Sequence, residues 1–226
     1  MQVAVIVPAA GMGKRFGGCT SKLLVPLQGK PLLMQTLSAL QRWRAARWIV
    51  VVVRERELTQ VSTLLRRYRI TKALAPVAGG SSRAESVARG FAALPRGAQW
   101  VVVHDGARPC VSDALLRRVA RAAQHAGAAI CGLPAALTVK SVDPRGYVRA
   151  TMNRDSLRLI QTPQMFRYDW FARALKKVNR RWRRFPDDAA IVEAAGFPVR
   201  VVMGDPRNIK VTTKDDVILA RALLKR

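Results

Sequence analysis

Val3-Ala4-Val5-Ile6-Val7-Pro8-Ala9-Ala10-Gly11-Met12-Gly13-Lys14-Arg15-Phe16-Gly17-Gly18 is an unbroken apolar run that empties into a basic, glycine-rich loop. A strand whose residues are apolar without alternation fits a sheet covered on both faces, which is how parallel sheets are built. The same rhythm recurs outward from this stretch. Short β-branched or apolar runs at Trp48–Val53, Lys72–Val77, Trp100–His104, Ala128–Leu133 and Val199–Met203 read as further strands. Amphipathic stretches at about Pro31–Trp43, Glu55–Tyr68, Ser82–Leu94, Ser112–His125, Tyr168–Asn179, Asp187–Ala195 and Thr213–Leu224 read as helices. Pro31 suits a first helical position, and Ser82 followed by Glu85 has capping-box spacing.

This alternation predicts an α/β fold: a Rossmann-like, mostly parallel sheet with helices on both faces. One segment departs from it. Thr138–Ser141 and Tyr147–Thr151 read as strands flanking the turn Asp143-Pro144-Arg145-Gly146, which predicts an inserted β-hairpin arm over about 135–160. No repeat or low-complexity linker interrupts the rest, so residues 1–226 are expected to form one domain carrying that arm.

With 226 residues, half of them apolar, the chain is long enough to bury the core of one sizeable domain. Its apolar runs are far shorter than the ~20 residues a membrane helix needs, and its start lacks the layout of a secretory signal, so a cytoplasmic location is expected. Cys19, Cys110 and Cys131 are odd in number and widely spaced, which suits reduced thiols better than a disulfide framework. With only two histidines in the chain, any metal should be a hard ion held by oxygen. Forty Lys and Arg against fourteen Asp and Glu give a net charge of +26, a field that attracts nucleotides, sugar phosphates and nucleic acid alike.

Three strand-end clusters carry the chemistry. The loop Pro8–Gly18 is a phosphate-loop candidate, because glycines let backbone N–H groups approach phosphate oxygens and Lys14, Arg15 and Lys22 stand close by. It is no Walker motif, and Phe16 occupies the place of the third glycine of a dinucleotide fingerprint. Gly79-Gly80-Ser81-Ser82-Arg83-Ala84-Glu85-Ser86 opens a helix with donors suited to a base or ribose, although taken in isolation the segment is better explained by Ser82 capping and Ser86 packing. His104-Asp105-Gly106-Ala107-Arg108-Pro109 ends a strand, and Asp105 is placed there to hold a Mg²⁺ ion bridging triphosphate oxygens. His104 reads as structural, and Asp187-Asp188 as a solvated helix start.

Ala9-Ala10-Gly11-Met12-Gly13-Lys14-Arg15, Lys22 and Pro26-Leu27-Gln28-Gly29-Lys30-Pro31-Leu32 together resemble the sugar-nucleotidyltransferases. Leu137–Lys140, Thr151–Arg154, Gln161–Phe166 and Asn208–Thr212 narrow the resemblance to the 2-C-methyl-D-erythritol 4-phosphate cytidylyltransferases, over about Val3 to Leu224. Transfer of CMP from CTP to 2-C-methyl-D-erythritol 4-phosphate is what this resemblance implies, with release of pyrophosphate in non-mevalonate isoprenoid precursor synthesis. It further implies that Ala9, Ala10, Gly11 and Gly13 cradle the nucleotide, and that Gly80, Arg83 and Ser86 contact cytosine and ribose. Arg15, Lys22 and Lys210 would face the reacting phosphates, Asp105 would carry Mg²⁺, and Arg108, Thr138 and Arg154 would bind the acceptor. The arm of that family clasps a second subunit, which implies a homodimer with sites drawn from both chains. Ribitol-5-phosphate cytidylyltransferases share the fold and loop and differ only on the acceptor side. From another class, Lys176–Phe185 has the cations and aromatics of a nucleic-acid grip, yet a solvated helix face with nonspecific polyanion binding fits the chain-wide arginine excess better.

Overall fold

The structure is a computed structural model describing residues 1–11, 16, 22–178 and 184–225, apart from the Lys22 side chain. Among the described residues the strands are β1 (Val3–Pro8), β2 (Pro26–Leu27), β3 (Lys30–Pro31), β4 (Ala46–Val53), β5 (Val77–Ala78), β6 (Trp100–Val103), β7 (Ala128–Pro134), β8 (Lys140–Val142), β9 (Val148–Thr151), β10 (Arg158–Arg167) and β11 (Arg200–Met203). The α-helices are α1 (Leu32–Arg42), α2 (Leu58–Arg67), α3 (Arg83–Ala92), α4 (Asp113–Ala126), α5 (Tyr168–Val178), α6 (Asp188–Ala194) and α7 (Lys214–Leu224).

Seven strands form the main sheet in the order β11-β7-β10-β6-β1-β4-β5. Strand β1 lies parallel between β4 and β6, and only β10 runs antiparallel to its neighbours β6 and β7. Side chains alternate across the sheet, and the core divides accordingly. Val3, Val5 and Val7 face α1, α2, α4 and α7, whereas Ile6, Val50 and Val52 face α3, α5 and α6. Both faces are thus covered, as the unalternated apolar runs require. Helix α3 lies unusually close to the sheet: a Cβ on Gly90 would stand 2.7 Å from methyl carbons of both Ile6 and Val52.

The predicted strands β1, β4, β6, β7 and β11 and the helices sit where expected, to within a few residues at their ends. Three local expectations change. The run Lys72–Val77 makes only a single bridge, Ala73 to Ile49, before the short β5, because Pro76 has no N–H to continue the ladder. Pro31 caps α1 rather than beginning it. Ser82 accepts the Glu85 N–H at 3.1 Å, but the Glu85 carboxylate turns to the N–H and hydroxyl of Ser81, so the reciprocal half of the capping box is replaced.

Strand β10 is the element the sequence concealed. Its centre, Gln161-Thr162-Pro163-Gln164, is polar and carries a register shift, yet Gln161, Thr162 and Gln164 are buried. The arm exists as the antiparallel pair β8 and β9, shorter than predicted, with Leu137 81% and Tyr147 69% exposed. No helix among the described residues is long and apolar enough to cross a membrane.

Candidate active site

Parallel strands β1, β4, β5 and β6 end at one edge of the sheet, and their loops are stitched together there. Ala9 donates to the Val52 carbonyl at 2.7 Å, Gly79 to the Val53 carbonyl at 2.7 Å, and Gly106 to the Pro8 carbonyl at 3.3 Å. A fourth loop, before α7, joins them through Val211 N–H to the Ala107 carbonyl at 2.9 Å and Arg108 Nη1 to the Asn208 carbonyl at 2.8 Å. Between them lies a cavity of about 570 Å³, within the range of small-molecule sites. Pro8–Gly11, Leu23, Arg54, Gly80–Arg83, Ser86, Asp105, Ala107 and Lys210 line it.

Gly79 makes this junction tight. A Cβ there would lie 2.4 Å from that of Ala10 and 2.9 Å from Ser86 Oγ, closer than real Cβ atoms approach, so only glycine lets the two loops meet. The next residues spend their donors within the loop: Gly80 N–H on Ser86 Oγ at 3.1 Å, Ser81 N–H on Glu85 Oε2 at 2.8 Å. The Ser86 hydroxyl in turn donates to the Ser82 carbonyl at 2.9 Å. These hydroxyls and amides therefore fix the shape of the cavity wall.

Asp105 is the charge centre, 7% exposed. Its Oδ1 accepts Arg83 Nε at 3.3 Å and Nη2 at 3.2 Å; its Oδ2 meets Lys210 Nζ at 2.8 Å and Arg108 Nε at 3.6 Å. Burial alone would raise its pKa, but Arg83, Lys210 and Arg108 outweigh it and hold the carboxyl well below the usual range. Arg83 is shared. Its Nη1 donates to Asp188 Oδ2 at 2.8 Å, and the two carboxylates outweigh its own desolvation to raise its pKa further.

Asp188 is thereby corrected from a solvated helix start to a fully buried ion-pair partner, 0% exposed. Asp187 alone performs the capping, accepting Ala190 N–H at 2.9 Å. Buried Gln164, from β10, braces this turn by donating to Asp187 at 2.8 Å and accepting Ala189 N–H at 3.1 Å. Among the described residues, these three cations against the two carboxylates leave one net positive charge around Asp105.

His104 is buried and structural. Its Nε2 faces the Arg108 carbonyl at 3.2 Å and so carries the hydrogen; Nδ1 then accepts the Thr162 hydroxyl at 3.2 Å, and that oxygen accepts Asp105 N–H at 3.0 Å. Burial lowers its pKa to about 4, with the Arg108 carbonyl and Asp105 opposing. The unfolded chain binds a proton at His104 below pH ~6.5 while the folded chain does not until about 4. Stability from this group is therefore full above pH ~6.5 and declines as pH falls toward 4, by on the order of 3 kcal/mol in total. Urea titrations at pH 7 and pH 4.5 should show that loss in the native protein and a smaller one in His104→Gln.

Of the residues singled out in the sequence, Ala9, Ala10, Gly11, Gly80, Arg83, Ser86, Asp105 and Lys210 converge on the one cavity. Arg108 supports Asp105 without lining it. Thr138 and Arg154 lie exposed on the arm, where Arg154 donates to the Ala136 carbonyl at 3.2 Å, and they are not part of the wall of their own chain's cavity. Gly13, Lys14, Arg15, Cys19, the Lys22 side chain and residues 179–183 of the basic run fall outside the described residues. Sequence reasoning passed over Arg54, which lines the cavity and pairs with Glu57, and it assigned no role to Thr162 or Asn208. Asn208 is buried and donates to the Thr162 carbonyl at 2.7 Å, tying the Lys210 loop to β10.

No three His, Cys, Asp or Glu side chains gather among the described residues, and Asp105 is the one carboxylate lining the cavity there. That donor set does not suit a transition metal. It does fit a hard divalent ion that keeps its waters and is shared with substrate phosphates. Cys110 and Cys131 are free, and burial raises their pKa values to about 11 and about 12, so neither is a thiolate nucleophile.

Strand-end loops, cations and a single oxygen-ligand carboxylate, gathered among the described residues at the carboxyl edge of such a sheet, make a site suited to an enzyme of phosphorylated ligands. Comparison with known proteins narrows the class. The chain belongs to the 2-C-methyl-D-erythritol 4-phosphate cytidylyltransferase family, whose model matches residues 3–226. It is 40% identical to the family member of Desulforamulus reducens over 225 residues, covering 99% of this chain and 96% of the relative. A relative of the same name from Syntrophus aciditrophicus is also 40% identical, with 100% and 97% covered. Among solved structures, the 4-diphosphocytidyl-2C-methyl-D-erythritol synthase of Anaerococcus prevotii superposes with a TM-score of 0.87 at 30% identity, covering 100% of this chain and 99% of that one. The Thermus thermophilus cytidylyltransferase gives 0.78 at 35%, with 99% and 98% covered.

Proposed function

We propose that the chain transfers the cytidylyl group of CTP to 2-C-methyl-D-erythritol 4-phosphate in the cavity around Asp105, releasing pyrophosphate. The observation that carries this reading is the convergence of Lys210, Arg83 and Asp105 with the Pro8–Gly11 loop on one cavity. A phosphate oxygen of the acceptor attacks the α-phosphorus in line, and because a phosphate dianion is already nucleophilic no general base is needed. The task is electrostatic: two polyanions must be held together while charge builds on the equatorial oxygens. Lys210 supplies one positive charge at the reacting phosphates, and Arg15 and Lys22 supply the others from the first loop. Ala9, Ala10, Gly11 and Gly13 receive the nucleotide, with Gly80, Arg83 and Ser86 on the side of base and ribose. Asp105 would hold Mg²⁺, which when bound neutralises phosphate charge as a Lewis acid.

The acceptor side is completed by a second copy of the chain. The arm at about 135–160 carries exposed Leu137, Val142, Tyr147 and Val148, an apolar surface suited to a partner, and its exposed Thr138 and Arg154 do not line their own chain's cavity. Arg108, beneath Asp105, stands on the acceptor side of its own chain. If sites are shared in this way, Lys210→Ala and Arg154→Ala homodimers, each inactive, should regain roughly a quarter of native activity when unfolded and refolded together, the share given by random pairing in a two-fold dimer. No recovery, with mixed dimers verified by mass, places Arg154 in its own chain's site.

A pyrophosphate-release assay with CTP, Mg²⁺ and each acceptor tests the reaction itself. Release with 2-C-methyl-D-erythritol 4-phosphate supports the reading; release with ribitol 5-phosphate alone overturns it. The basic surface binds nucleic acid only nonspecifically, so any complex with RNA should dissolve steeply as salt rises.

A further inference from the structure

Asp188 sits outside the cavity, on α6, and nothing in capping accounts for it because Asp187 already fills that position. Its side chain is fully buried, its Oδ2 receives Arg83 Nη1 at 2.8 Å, and its Oδ1 is buried without a hydrogen-bond partner among the described residues. A carboxylate buried with one oxygen unsatisfied is costly, and replacing such a pair by apolar groups is often neutral or stabilising. Its placement therefore suggests a role beyond holding the fold together. The other donors of the same guanidinium, Nε and Nη2, grip Asp105 Oδ1. Arg83 is thus suspended between an anion in the core and the anion of the site.

We propose that Asp188 is a positioning residue that acts through Arg83 on Asp105, holding the guanidinium at the cavity wall so that Asp105 Oδ1 can be given up to a phosphate-borne divalent cation. The proposal rests on the reading of Asp105 as the metal-holding carboxylate. Arg83 and the cation compete for the same oxygen, and the outcome depends on how firmly Arg83 is held on its far side. A neutral amide at 188 keeps the shape but weakens that hold, and the guanidinium settles more fully on Asp105. Charge-assisted bonds are about twice as strong as neutral ones, so the shift should be large enough to measure.

The test is equilibrium binding of CTP, without acceptor, as a function of Mg²⁺ in the native protein and in Asp188→Asn. The expected result is a rise of about ten-fold in the Mg²⁺ concentration for half-maximal CTP binding, a difference worth about 1.4 kcal/mol, with the plateau affinity retained at saturating Mg²⁺. In turnover, the defect should fall on apparent KM at low Mg²⁺ and vanish from kcat at high Mg²⁺, which general loss of structure would not produce. An unchanged Mg²⁺ midpoint, or a loss of CTP affinity that Mg²⁺ does not restore, overturns the proposal. A native protein whose CTP affinity ignores Mg²⁺ overturns both this and the underlying reading. Should Asp188→Asn fail to fold, NMR of the native protein labelled with ¹⁵N-arginine decides, with Arg83 assigned by Arg83→Lys. Adding Mg²⁺ and CTP should shift the Arg83 Nε–H signal while rotation of its Nη groups stays slow; a guanidinium set free to rotate contradicts the proposal.

Discussion

Changing Asp105 to Asn should lower turnover by ~10³-fold or more, because it removes the one carboxylate lining the described cavity and with it the several kcal/mol that a divalent ion held there would contribute to the transition state. The same change should destabilise the fold. Arg83, Arg108 and Lys210 all lean on that carboxylate, and stripping the anion from a buried pair costs ~3–5 kcal/mol. The lower end of that range is expected, since Arg83 retains Asp188 and Lys210, 39% exposed, can turn to water. Steady-state kinetics and urea unfolding of the purified variant measure the two effects. Full activity in Asp105→Asn would remove the carboxylate from the reaction, and an unchanged unfolding curve would contradict the charge balance described around it.

Lys210→Ala separates chemistry from stability. The ammonium is partly exposed, and its contact with Asp105 at 2.8 Å is one of three cationic contacts on that carboxylate among the described residues, so little stability should be lost. The rate should still fall by ~10²–10³, the usual loss for one well-placed donor aimed at developing charge, with a much smaller change in CTP affinity. This split between kcat and binding marks an interaction realised in the transition state. Unchanged kcat in a folded variant would place Lys210 away from the reacting phosphates.

Much of the frame was readable from the residues because burial on both faces leaves an unmistakable signature. Strands β1 and β4 are nearly continuous runs of valine and isoleucine, and loops following such strands must meet at their carboxyl edge. That logic brought Gly11 and Asp105 to one place, whereas Gly80 was assigned to the site by resemblance. Strand β10 escaped because its buried centre is polar. Gln161, Thr162 and Gln164 are satisfied by partners such as Asp205, His104 and Asp187, all distant in sequence, and no local pattern announces them. Asp188 escaped for a related reason: its partner Arg83 is 105 positions away. The signal was present all the same, since two acids open α6 where one suffices as cap. Lys72–Val77 was misjudged in the opposite sense, its β-branched and apolar residues outvoting a proline that ends the ladder. The roles given to Thr138 and Arg154 came only from resemblance, because exposed arm residues obey no packing rule.

The account stands on the cavity at the strand ends as the meeting place of CTP and its acceptor. A crystal structure of the protein with CTP and Mg²⁺ tests this most directly. The triphosphate should lie along Pro8–Gly11 with its α-phosphate within reach of Lys210 and its metal on Asp105. CTP bound on any other surface, with that cavity left to solvent, would contradict the account.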